Sequence, residues 1–281
     1  LERLKHLLSD YHVHTPYCGH ANGKIINYIE SAIALGMPEI GFSDHLGRYY
    51  LGKEQKKRYW DWGMNERDLS RYFSELMDLK EVYEDRIKIR IGLEIDYIEG
   101  AVYLAEEIIS RYPFDYLLGS IHCLPSLGWR HISQYVKVDP QRTYYAYFNA
   151  INSAIKSKIF QSIAHIDFIW RYIPWQDVPF YVIEDFINIT ANLAFQNNCC
   201  IEVNANAYLW SKIENFNNYD LFNCILNSVK KYNTNITLGS DAHTPELVGK
   251  AFPQIIALIK KNDIKFASYF DQKELKKVVI D

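Results

Sequence analysis

Seven apolar runs alternate with seven amphipathic segments along this 281-residue chain, and that alternation sharply limits the folds open to it. The runs lie at 7–14, 39–44, 87–95, 115–121, 159–165, 199–204 and 235–241. Helical spacing of apolar residues follows at 25–35, 69–83, 101–112, 141–156, 182–196, 219–231 and 246–261. Strand–helix units in series build a parallel sheet, because each helix carries the chain back to the same edge. Seven such units favour closure into a barrel, since an open sheet of that width is less usual. No low-complexity linker interrupts them, so the expectation is one α/β domain over 1–281, a TIM-like barrel.

The connections are lopsided. Helix-to-strand links are short, at 36–38, 85–86, 157–158 and 197–198, whereas 46–64, 123–139, 170–179 and 205–218 are long. Long loops after the strands are where barrel enzymes build their sites. These carry Arg48, Arg58, Trp60, Trp62, Trp129, Arg130, Trp170, Arg171, Trp175, Tyr208 and Trp210, a set suited to covering a barrel mouth.

Histidines mark that same end. His12 and His14 sit at i and i+2 on the first strand and so share a face, the spacing of two ligands on one ion. His20 follows in the turn, His45 ends strand two, His122 strand four and His165 strand five. Asp241 and His243 repeat the i, i+2 spacing after strand seven, and strand three sets Glu94 inside an apolar run. A buried carboxylate needs a cationic partner. Seven imidazoles and two carboxylates at one end of one barrel point to a multinuclear metal centre. Cys18 and Cys123 adjoin ligand positions, and both read better as bystanders.

Composition narrows the partners. Net charge is -3 with no block of one sign, which does not suggest a broad nucleic-acid or membrane surface. Five cysteines without a C-x-x-C pair fit reduced thiols in the cytoplasm. No apolar run approaches the length of a membrane span, and the first residues lack a signal-peptide core, so the expectation is a soluble cytoplasmic protein.

Taken in order, Asp10-Tyr-His-Val-His14-Thr, His20, Ser-Asp44-His45, Gly-Leu-Glu94, Gly-Ser-Ile-His122, Ala-His165 and Gly-Ser-Asp241-Ala-His243 resemble the PHP (polymerase and histidinol phosphatase) family. The resemblance covers nearly the whole chain and looks most like the stand-alone histidinol-phosphate phosphatase branch. It implies a distorted (β/α)7 barrel with three divalent metal ions, zinc, iron or manganese by ligand chemistry. One ion would take His12, His14, Glu94 and Asp241. A second would share Glu94 and add His122 and His165. The third would be held by His20, His45 and His243.

Three divalent ions facing only two carboxylates leave the site electropositive, which suits a phosphomonoester dianion. A hydroxide bridging the Glu94-linked pair is the expected nucleophile, at a water pKa of about 7. Asp44 and Asp10 are candidates to protonate the leaving alkoxide, and each also suits orienting a ligand imidazole. Arg171, then Arg130, are candidates to hold phosphate. Glu54, Asp61, Asp177 and Glu214 lie in loops where they could meet a substrate ammonium. The expected reaction is hydrolysis of L-histidinol phosphate. Alternatives are a PHP phosphoesterase for a nucleotide or a DNA 3′ end, a non-catalytic metal-binding domain, and metal-dependent C–N hydrolysis.

Overall fold

A computed structural model describes residues 9–53, 63–128, 130–172, 177–206, 208–209 and 218–280. Among them seven strands form one parallel sheet: β1 (Asp10–Val13), β2 (Glu39–Phe42), β3 (Lys88–Asp96), β4 (Tyr116–Ser120), β5 (Ser162–Ile163), β6 (Cys200–Asn204) and β7 (Ile236–Gly239). Neighbours in sequence are neighbours in the sheet. The seam between β1 and β7 is closed by one bridge, Val13 to Ala242, with His14 N–H donating to the Ala242 carbonyl at 2.9 Å. The result is the nearly closed, TIM-like barrel that the alternation predicts.

Each strand is followed by a helix whose buried stripe packs on the barrel wall. They are α1 (Ile25–Ala34), α2 (Glu66–Val82), α3 (Val102–Ile109), α4 (Pro140–Ser157), α5 (Phe180–Gln196), α6 (Asn218–Tyr232) and α7 (Phe252–Lys261). In α1 the stripe is Ile25, Tyr28, Ile29 and Ala32, the i, i+3, i+4, i+7 pattern of an amphipathic helix. Asn65 caps α2 by accepting from the Arg67 and Asp68 amides, both at 3.0 Å. Asp139 caps α4, whose first residue is Pro140.

The last helix differs from expectation. It begins at Phe252 instead of residue 246, because Gly249 and Ala251 both take left-handed φ, at 61° and 66°. The Gly249 amide turns inward there and donates to Asp10 at 3.1 Å. Beyond 261, where the periodicity assigns no element, a hairpin of β8 (Phe266–Asp271) and β9 (Glu274–Val279) covers the barrel's N-terminal end. Its Phe270 joins Tyr11, Tyr116, Leu118, Ala164 and Cys200 in a separate interior cluster. Tyr116 fills the barrel against Gly92, where a Cβ would lie 2.6 Å from its ring.

That end also buries charge. Arg90, 7% exposed, reaches Glu39 at 3.0 Å and Asp271 at 2.7 Å. Tyr11 donates to Glu39 at 2.6 Å, and Asp115 accepts from the Ile91 amide at 2.9 Å and from Lys80 at 3.2 Å. Among the described residues no helix is long and apolar enough to cross a membrane.

Candidate metal centre

The nine residues singled out from the strand ends converge at the C-terminal mouth. His12 and His14 on and after β1 turn their Nε2 atoms to within 3.1 Å of each other. Asp241 Oδ1 lies 3.1 Å from His14 Nε2 and 3.6 Å from His12 Nε2. Glu94, 1% exposed, spans the middle. Its Oε2 is 3.2 Å from His12 Nε2 and 2.9 Å from His45 Nδ1, while its Oε1 is 3.0 Å from His165 Nε2 and 3.6 Å from His122 Nε2. On the outer side, His20 Nε2 and His243 Nε2 are 2.9 Å apart. His165 and Asp241 hold φ of 23° and 54°, left-handed values uncommon without glycine and found at functional sites.

In four of the rings the opposite nitrogen is tied to the chain, whereas His14 Nδ1 and His165 Nδ1 are buried without a hydrogen bond. His12 Nδ1 meets Glu202 Oε1 at 2.7 Å and His122 Nδ1 meets Asp96 Oδ1 at 2.9 Å. His20 Nδ1 faces the Cys18 carbonyl at 3.1 Å, and His243 Nδ1 faces the Asp241 carbonyl at 2.9 Å. A carbonyl oxygen only accepts, so both of these rings carry their proton on Nδ1 and a lone pair on Nε2. Two lone pairs aimed at one another require a shared cation, a proton or a metal ion.

The chemistry of the donor set favours the metal. Donors bound at 2.0–2.1 Å to one ion stand about 2.9–3.4 Å apart at octahedral to tetrahedral angles, the range of the shorter contacts above. Burial pushes His122 down to about 3, and burial, then the nearby His14 charge, pushes His243 down to about 4. Burial also holds His45 well below the usual imidazole range. Burial opposes charge on His12 as well, but Glu202, Glu94 and Asp241 outweigh it and raise its affinity for a proton. Glu94 resists the upward push of burial because His45 and His12 stabilise its carboxylate. Among the described residues five donor groups lie close enough to hold an ion: His12–His14–Asp241, His12–Glu94–His165, His20–His45–His243, His14–His45–Glu94 and His14–Cys18–His243.

The model of the PHP domain matches residues 10–206. The chain belongs to the PHP domain family. It is 26% identical over 260 residues to a Deinococcus radiodurans protein named "Probable histidinol-phosphatase", spanning 90% of this chain and 93% of that one. It is 27% identical over 259 residues to the Lactococcus lactis histidinol-phosphatase, spanning 90% of each. The solved Lactococcus lactis histidinol phosphate phosphatase, complexed with zinc, L-histidinol and phosphate, shares the fold at a TM-score of 0.74 and 23% identity, over 96% of this chain and 99% of that one.

Other residues of this PHP barrel fall into place differently. Asp10 accepts from the backbone amides of His12, Ser240 and Gly249 at 3.2, 2.9 and 3.1 Å, so it stitches the β1–β7 seam. Asp44 accepts from the Thr15 amide at 2.7 Å and from its hydroxyl, and lies 3.5 Å from His14 Nδ1. Arg171 is exposed at the end of a 3-10 turn, with Tyr172 5.7 Å away. Arg130 pairs with Leu124 in a short hairpin, and its side chain lies outside the described residues. So do Glu54, Arg58, Trp60, Asp61, Trp62, Trp129, Trp175, Trp210 and Glu214. Trp170 is part of the hydrophobic core, Tyr208 packs 5.9 Å from Phe222, and Asp177 is exposed. Cys18 is buried beside His14 and His243, and Cys123 packs with Leu51, Ile98 and Ala101.

Sequence reasoning passed over three carboxylates. Glu202, 2% exposed, bonds His12 and also accepts from the His165 amide at 2.7 Å. A Cβ on Gly239 would lie 2.0 Å from its Oε1, so glycine there makes room for it. Asp96 receives both the amide and Nδ1 of His122, and is paired with buried Arg48. Asp167 is buried two residues after His165, and burial raises its carboxyl to about 7. The signal was present: Glu202 sits inside an apolar strand as Glu94 does, and Asp96 repeats the face of Glu94 at i+2.

Proposed function

We propose that this chain is a metal-dependent phosphomonoesterase that hydrolyses L-histidinol phosphate to L-histidinol and phosphate, acting in the cytoplasm as one barrel domain over 1–281. The observation that carries the reading is the pair of Nε2 atoms of His20 and His243, both lone-pair bearing and 2.9 Å apart, within a cluster of seven imidazoles and two carboxylates. Two relatives of matching length named for this activity, and the ligands of the solved Lactococcus lactis enzyme, support the substrate.

In this reading His12, His14, Glu94 and Asp241 hold one divalent ion, Glu94, His122 and His165 a second, and His20, His45 and His243 a third, with zinc, iron or manganese as occupants. Bound ions supply water of lowered pKa and positive charge for the phosphate dianion. The chain's own work is placement. Glu94 presents one oxygen to His12 and His45 and the other to His165 and His122, the posture of a bridging carboxylate. Glu202 and Asp96 fix the tautomer and tilt of His12 and His122, so that their Nε2 atoms keep lone pairs. Asp44 holds the Thr15 turn that aims His14, and Asp10 holds the seam beneath. Both are therefore positioning residues here. Arg171, and Arg130 from the facing hairpin, remain the proposed phosphate contacts.

Phosphate release from histidinol phosphate, compared with a panel of nucleotide and sugar monophosphates, tests the substrate. Preference for histidinol phosphate supports it. Turnover of another ester with inertness toward this one refutes it.

A further inference from the structure

One histidine in this mouth has its ring nitrogens arranged opposite to those of the proposed ligands. His131 caps the 3-10 turn Ile132–Gln134: its Nδ1 accepts the Ser133 backbone N–H at 3.3 Å and lies 2.8 Å from Ser133 Oγ, whose hydroxyl can donate to the same nitrogen. A backbone N–H can only donate, so Nδ1 is the unprotonated nitrogen and the ring proton sits on Nε2. His131 is therefore a fixed donor where its neighbours are lone-pair donors to metal. Among the described residues no hydrogen bond engages this Nε2, and the ring is half-buried.

Its position joins it to the centre. The Ile132 amide donates to the His122 carbonyl at 2.9 Å, so the hairpin carrying His131 is anchored on a proposed ligand. The His131 ring stands edge-on to Phe168 at 5.9 Å and to Tyr172 at 5.5 Å. Phe168 in turn lies 4.8 Å from the His122 ring and 5.1 Å from that of His165. One aromatic layer thus separates a fixed N–H donor from the Glu94-linked part of the cluster.

Resting on the function proposed above, we propose that His131 reads the organic half of the ester: its Nε2–H donates to the acceptor nitrogen of the substrate's heteroaromatic ring, beside the wall of Phe168 and Tyr172. A neutral imidazole offers one planar acceptor nitrogen, which an aliphatic or phenyl ester lacks. His131 Nε2 is not sealed from solvent, so a ligand nitrogen can reach it in place of water.

His131→Asn tests this, because asparagine keeps the cap on Ser133 but withdraws the ring donor; His131→Phe keeps the ring and removes both. Each variant is assayed on histidinol phosphate and on p-nitrophenyl phosphate, which has no acceptor ring nitrogen. The expected result for both variants is KM for histidinol phosphate raised about tenfold at similar kcat, the loss of one uniform hydrogen bond, with p-nitrophenyl phosphate turnover within about twofold of wild type. Parallel losses on both esters, or unchanged KM on histidinol phosphate, overturn the role of His131 and leave the function standing. Wild-type protein that turns over p-nitrophenyl phosphate but not histidinol phosphate overturns the function itself, and this proposal with it.

Discussion

Both ends of the barrel bury charge, and they neutralise it in opposite ways. At the N-terminal end Arg90 meets Glu39 and Asp271, Tyr11 completes Glu39, and Lys80 with the Ile91 amide completes Asp115. Every one of those charges finds its partner within the chain. At the C-terminal end the outer nitrogens of His12, His122, His20 and His243 are also satisfied by the chain, through Glu202, Asp96 and two carbonyls. The inner nitrogens face each other, the oxygens of Glu94 and Asp241, and the Cys18 thiol. One end is closed by the sequence; the other is built to be completed by cations from outside.

Substitutions at the two ends should therefore separate activity from stability. If Glu94 bridges two ions as proposed, Glu94→Gln should lower kcat by about a thousandfold or more, while circular dichroism shows the fold retained. Activity within tenfold of wild type would break the contrast. Arg90→Met should do the reverse. Stranding buried Glu39 costs about 3–5 kcal/mol in denaturant unfolding, with kcat unchanged in the metal-loaded protein.

Glu202→Gln sharpens the boundary, because Glu202 touches the centre only through His12 and the His165 amide. Metal affinity, measured by competition with a chelator, should weaken about 10–100-fold. Wild-type affinity would reduce Glu202 to a packing residue.

The smallest expected effect is a pH dependence at the N-terminal end. Lys276, then Arg90, lowers the Asp271 carboxyl from 3.8 to about 2. A depressed carboxyl contributes stability that is fully present above its unfolded value and is lost as pH falls through the folded one. Unfolding midpoints of wild type and Asp271→Asn should therefore converge between about pH 4 and 2. Because Asp271 is solvent-exposed, screening keeps the effect modest. A constant gap across that window would contradict the pairing.

The strands and nearly all the cluster were legible because two strong signals coincide. Fully buried parallel strands read as apolar runs, and histidines at their ends interrupt those runs at strand parity. Glu202 and Asp96 share strand parity with the cluster, but a carboxylate in a strand does not announce which ring it will reach. The start of α7 was misplaced because an apolar periodicity continues across Gly249 and Ala251 while the backbone there is left-handed. Hairpin β8–β9 gives little signal in the sequence. Its residues alternate weakly, and its reason for pairing is tertiary, the seating of Phe270 on Tyr11 and Asp271 on Arg90. Loop arginines stay the least legible, since a side chain such as Arg171 is fixed by what it binds more than by its own turn.

The most direct test of the account is metal content per chain measured alongside histidinol phosphate hydrolysis, on the same protein as purified, after chelation, and after reconstitution. The expected result is about three ions per chain at full activity, loss of turnover on chelation with the barrel still folded, and recovery as ions return. Undiminished phosphate release from metal-free protein would contradict it.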